Sequence, residues 1–130
     1  MDLVALLSRH EGKTLEFKRD LSSPEGVLKA IVAFANTSGG VILLGVEDRT
    51  RKVGGIGDVL AEEERLANLI ADSISPKLVP SMEVLPWRKT QVLAVEIYPS
   101  PNRPHHLNRS GPRKASIFAW DRRTGGPTQP

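Results

Sequence analysis

Asn36-Thr37-Ser38-Gly39-Gly40-Val41-Ile42-Leu43-Leu44-Gly45-Val46 is the stretch that decides the fold. Its first five residues are those that tolerate positive φ and end helices, and its last six form an unbroken apolar run closed by a second glycine hinge. Six apolar residues are too few for a helix, but they suit a central strand covered on both faces. Upstream, Val27, Leu28, Ile31, Phe34 and Ala35 recur at helical spacing behind Ser22-Ser23-Pro24-Glu25, which predicts a helix from about Pro24 to Thr37.

Further out, Thr14 to Lys18 alternates polar and apolar residues, a half-buried strand with Leu15 and Phe17 inward and Glu16 and Lys18 sharing the outer face. Asp2 to His10 reads as one or two helical turns, and Lys52 to Gly57 as a short strand or bulged hairpin. Ala61 to Ser75 begins with acids and keeps Leu66, Leu69, Ile70 and Ile74 on one face, a second main helix ended by Pro76. Met82 to Leu85 and Gln91 to Tyr98 flank a polar turn and form an antiparallel hairpin. Ala115 to Trp120 offers a last strand. The expected architecture is therefore a mixed α/β (α+β) domain, a five- or six-stranded sheet packed with about two main helices. Residues 1–123 form the domain, and 124–130 a Gly/Pro tail or the start of a linker.

Composition narrows the function. At 130 residues with 39% hydrophobic content, the chain fits one domain with one core. No apolar run approaches 18 residues and no signal pattern opens the chain, so a membrane partner is not expected and a cytoplasmic location is. With no cysteine, thiol catalysis and thiolate zinc sites are excluded, and with three histidines any metal is expected to be oxygen-bound. Charge is unevenly spread: Met1 to Trp87 carries 10 basic and 13 acidic residues, whereas Arg88 to Pro130 carries 8 basic and 2 acidic, net +6. Clustered Arg is the usual footprint of phosphate contact. Arg103, Arg109, Arg113, Lys114, Arg122 and Arg123 are thus the candidate nucleic-acid contacts.

Several motifs carry less chemistry than they promise. Gly54-Gly55-Ile56-Gly57 lacks the spacing of either a P-loop or a dinucleotide fingerprint, so no ATPase site is expected. Gly39 and Gly40 read as a helix cap and turn. His105 and His106 are adjacent, so in an extended segment they point to opposite faces and cannot share a metal; phosphate contact or exposure is expected. Trp87, Tyr98 and Trp120 could stack on bases, with core or edge packing the better expectation for Trp120.

Spaced motifs also carry a family resemblance. Glu11-Gly12-Lys13-Thr14-Leu15-Glu16-Phe17-Lys18, Ile31 to Gly40 with its Asn-x-x-Gly-Gly end, and Leu44-Gly45-Val46-Glu47-Asp48 together resemble the Schlafen-type AlbA-like domain. Val53 to Ile56, Ile74 to Leu78 and Val95 to Ser100 fall at its later landmarks, so the resemblance spans about Leu7 to Trp120. Ala119 and Asp121 depart from the Arg and Gly-Ser turn with which such domains commonly close.

The resemblance implies a nucleic-acid-binding domain, DNA ahead of RNA, of a transcriptional regulator or RecG-related helicase-like protein. It also implies a further C-terminal module, commonly a winged helix. Glu11, Glu16 and Asp48 match an acidic trio that some Schlafen relatives use to cut RNA. The enzyme alternative is thus a nuclease in which these carboxylates bind Mg²⁺ or Mn²⁺ and Lys18 orients water. No cofactor is required by the binding reading. The remaining alternative is a dimerising scaffold whose basic segment is only a solvated surface.

Overall fold

The computed structural model describes residues 1–10, 12 and 14–108. In chain order its elements are α1 (Leu3–Ser8), β1 (Leu15–Lys18), α2 (Pro24–Ala35), β2 (Gly40–Leu44), α3 (Val59–Ser73), β3 (Ile74–Ser75), β4 (Ser81–Trp87), β5 (Thr90–Ile97) and β6 (His106–Leu107).

The apolar run becomes an interior strand. β2 pairs in parallel with β1 and antiparallel with β5, in the sheet order β1-β2-β5-β4. Its side chains alternate between two separate cores. Ile42 and Leu44 join Val27, Leu28, Ile31 and Phe34 of α2, Leu66 and Ile70 of α3, and Leu93, Val95 and Ile97 of β5. Val41 and Leu43 face the other way, onto Leu15 and Phe17 of β1, Val92 and Ala94 of β5, and Leu3 and Leu6 of α1. Burial on both faces is why this strand shows no polar alternation. The short α1 is fixed at its start by Asp2, whose carboxylate accepts from the Val4 and Ala5 amides at 3.0 and 3.4 Å. Near its end, the Arg51 guanidinium donates to the Leu7 carbonyl at 2.9 Å and lies over the Phe17 ring.

Two glycines close the turn between α2 and β2 for different reasons. Gly39 has φ +80°, and a Cβ there would lie 2.6 Å from the Ile97 carbonyl oxygen. At Gly40 a Cβ would lie 2.8 Å from the Phe34 ring, so the ring occupies the space that a side chain at the start of the strand would need. The connection between β1 and α2 is held from α3: Glu62 accepts from the Leu21 amide at 3.1 Å, and Arg65 donates to the Leu21 carbonyl at 3.0 Å.

Three features differ from the sequence reading. The run stops pairing at Leu44, because the Gly45 and Val46 amides turn to the Lys18 carbonyl and Val46 makes only an isolated bridge to Val53. The described strands divide into a sheet of four and a separate ribbon of two, β3 with β6. α3 ends at Ser73, where Ile74 becomes extended and pairs with Leu107 instead of adding another turn. The expected strand from Ala115 to Trp120 lies outside the described residues.

Candidate nucleic-acid interface

Because β1 and β2 run in parallel, the residues that follow each strand emerge side by side. They bound a cleft of about 530 Å³ with Lys18, Arg19 and Asp20 on one side and Asp48 and Arg49 on another. Ser22 and Ser23, at the head of α2, complete the wall. A crevice beyond the carboxyl ends of strands is the usual ligand position in open α/β sheets.

Alternation along β1 turns Glu16 and Lys18 away from the core that holds Leu15 and Phe17, toward α2. Gly26 makes room there, since a Cβ at that position would meet Lys18 Nζ at 3.4 Å. Lys18 Nζ and Glu16 Oε2 form an ion pair at 3.1 Å, each side chain about one third exposed (33% and 32%). Asp20 accepts from the Ser22 amide at 2.9 Å, and the Ser22 hydroxyl and amide, helped by Arg19, hold its carboxyl below the ordinary value. Three cations and three acids, counting Glu47, thus share the cleft.

Of the acidic trio expected from the resemblance, Asp48 lines this cleft with Lys18, Glu16 is spent on Lys18, and Glu11 lies outside the described residues. Among the described residues no three carboxylate or imidazole groups come together to hold a metal ion. The described carboxylates by themselves thus form no Mg²⁺ or Mn²⁺ site, and the trio's third member, Glu11, is not among them. Arg19 and Arg49 were missed by the sequence reading. Each is an arginine just beyond a strand, a signal usable only once the strands are known to be neighbours.

The glycine-rich stretch is structural. The Gly54 and Gly55 amides both donate to the Gly45 carbonyl, at 3.0 and 2.9 Å, and the Ile56 amide donates to Gln91. These amides are thereby occupied within the fold.

Arg103 is exposed, and no described carboxylate pairs with it. Arg109, Arg113, Lys114, Arg122 and Arg123 lie outside the described residues, as does Trp120. His105 corrects an expectation: it is buried (3% exposed), whereas His106 is exposed on the opposite side. Its Nδ1 lies 2.8 Å from the Pro76 carbonyl, which can only accept, so Nδ1 carries the proton. Nε2 then accepts from the Ser100 hydroxyl at 2.5 Å, and Ser100 Oγ accepts from the Asn102 amide at 3.1 Å. Trp87 is half-buried with Arg88 over its ring, while Tyr98 is 57% exposed.

Comparison with known proteins agrees with this architecture. The family described as Schlafen, AlbA_2 matches residues 11–124, and the chain belongs to it. The fold is similar to the solution structure of an N-terminal domain from Nitrosomonas europaea, in a protein named for its relation to the ATP-dependent DNA helicase RecG. That match has TM-score 0.70 and 23% identity, and covers 92% of this chain and 91% of the other. A second similar structure is the DIP2311 protein of Corynebacterium diphtheriae, at TM-score 0.57 and 20% identity; 78% of this chain matches 22% of that one. This chain thus corresponds to under a quarter of the DIP2311 protein. Among the described residues no helix is long and apolar enough to cross a membrane.

Proposed function

We propose that this domain binds nucleic acid, DNA ahead of RNA, through its phosphate backbone, within a transcriptional regulator or RecG-related helicase-like protein. The observation that carries the reading is the segregation of charge. Eight of the ten charged residues after Trp87 are basic, and Arg103, the described member of the candidate contacts, stands exposed with no described acid beside it. Family membership and the name of the Nitrosomonas europaea protein point the same way.

The helices favour backbone contact over base reading. α1 has only six residues, α2 buries its apolar face, and the solvent side of α3 carries Glu64 and Asp72, which repel phosphate. Binding should accordingly be tolerant of sequence and sensitive to salt.

The test is a titration of single- and double-stranded DNA and RNA at several salt concentrations. Replacing Arg109, Arg113 and Lys114 by Ala should weaken affinity for unrelated sequences alike. The slope of log K against log salt should flatten by about 0.9 per B-DNA phosphate contact removed. An unchanged slope would move the interface elsewhere, and no affinity at about 50 mM salt would favour the dimerising scaffold.

The nuclease reading has one observation in its favour, that Lys18 and Asp48 line the same cleft. Mn²⁺-dependent cleavage lost in Asp48→Asn would establish it; unchanged cleavage in that variant, or none in the wild type, would reject it.

A further inference from the structure

At the end of the sheet where β5 runs out, Tyr98 stands beside a pocket of about 220 Å³. One wall is Lys77, Val79 and Pro80; the other is Tyr98, Pro99 and Asn102. We infer that this pocket receives one base of a single-stranded nucleic acid, stacked on the Tyr98 ring, with Lys77 and Arg103 taking the flanking phosphates. The inference rests on the nucleic-acid reading above and adds to it a site and a strandedness.

The size decides the class of ligand first. Pockets for drug-sized molecules hold about 300–1,000 Å³, so this one suits a single planar ring system better than a whole nucleotide cofactor. The lining decides the chemistry. Tyr98 is more than half exposed, three prolines (Pro80, Pro99 and Pro101) give apolar walls, and the Asn102 amide can both donate and accept. Lys77 is an exposed cation in the pocket lining, and Arg103 is an exposed cation directly after the lining residue Asn102. A paired base has its faces covered by its neighbours, so only an unpaired base can stack here.

The pocket is also held in shape before any ligand arrives. Its two walls come from separate parts of the chain, and the buried His105 ring bolts them together: Nδ1 on Pro76, directly before Lys77, and Nε2 on Ser100, between Pro99 and Asn102. The Ser100 amide is further tied to the Ala35 carbonyl at 2.9 Å. At its exposed end the Tyr98 hydroxyl donates to Glu96 at 3.3 Å, a long contact on which the stacking face does not depend. A rigid aromatic platform loses little entropy on binding.

The experiment measures affinity of the full chain for short oligo-dT, oligo-U and a DNA duplex. It compares wild type, Tyr98→Ala, Tyr98→Phe and Lys77→Ala, each checked for folding by circular dichroism. Tyr98→Ala should weaken both single strands by about 5- to 150-fold, the span of base–aromatic stacking. It should leave the duplex and the salt slope unchanged, and Tyr98→Phe should bind like wild type. Lys77→Ala should lower the slope for single strands. Because Tyr98 is the chain's one tyrosine, its ring resonances form a single reporter that should shift on adding oligo-dT or oligo-U. Equal loss for single strands and duplex, or no loss with salt-dependent binding intact, would overturn the base site while leaving the proposed function standing. Absence of binding to every nucleic acid would remove both.

Discussion

Asn36 and His105 lie 69 residues apart and meet in a reciprocal pair of hydrogen bonds. The His105 amide donates to Asn36 Oδ1 at 2.7 Å, and Asn36 Nδ2 donates to the His105 carbonyl at 3.0 Å. The side-chain amide of the helix cap thus acts as a strand partner for a loop residue, and the loop carries the His105 ring into its buried position. Asn36→Ala strands both backbone groups and should cost roughly 2–3 kcal/mol, read by urea denaturation. Asn36→Asp keeps the acceptor but loses the donor, so its loss should fall between wild type and Ala.

Phe34 and Gly40 form a second coupled pair. Phe34→Ala should cost roughly 3–5 kcal/mol if the core does not collapse, and Gly40→Ala roughly 1–3 kcal/mol through overpacking on the ring. Since the alanine methyl needs the space that the ring occupies, the double variant should be more stable than the sum of the two losses implies. A double-mutant cycle by thermal denaturation checks this, and strict additivity would mean that the two positions do not share that space.

Asp20 gives the stability a pH dependence whose sign is fixed. Its folded pKa lies below its ordinary value, so its contribution is complete above about pH 4–5 and is lost as pH falls through the lower folded value. The stability difference between wild type and Asp20→Asn should therefore shrink as pH is lowered from 5 toward 2. With the Asp20 side chain 40% exposed, solvent screening keeps the difference small. A difference independent of pH would mean that the Ser22 contacts do not depend on the charge.

The Glu16–Lys18 pair should have a coupling energy of about 0.2–1 kcal/mol, since each partner is one-third exposed. Glu16→Gln, Lys18→Met and the double variant measure it by denaturation at low and high salt. A coupling well above 1 kcal/mol that resists salt would mark a pair shielded from water.

Much of the fold was legible because burial leaves a pattern. Val41 to Leu44 declared a two-sided strand, and Val27 to Ala35 a helix with one apolar stripe. β3 and β6 were not legible, because two residues are too few to show alternation and their pairing joins Ile74 to Leu107. His105 looked available for phosphate because nothing local marks it as buried; its partners Asn36, Pro76 and Ser100 come together only in the fold. Lys18 and Asp48 were found by resemblance, whereas Arg19 and Arg49 needed the register of β1 against β2. The basic residues beyond Asn108 were legible only as charge, and they lie outside the described residues.

The sheet order also bears on how the chain reaches its structure. β1, α2 and β2 form one unit from neighbouring sequence, and β4 and β5 form another around the tight turn at Arg88 and Lys89. The seam between them is the β2–β5 ladder, which joins Leu44 to Leu93 and must close a long loop that includes α3. Each half can gather its local contacts early, and the seam is then the step at which the chain commits to the native arrangement. Conservative truncations along that ladder, such as Ile42→Val and Val95→Ala, should accordingly slow folding, while Leu107→Ala in the β3–β6 ribbon, outside both early units, should mainly speed unfolding. Stopped-flow chevrons on the three variants would show the seam is late if the pattern is reversed.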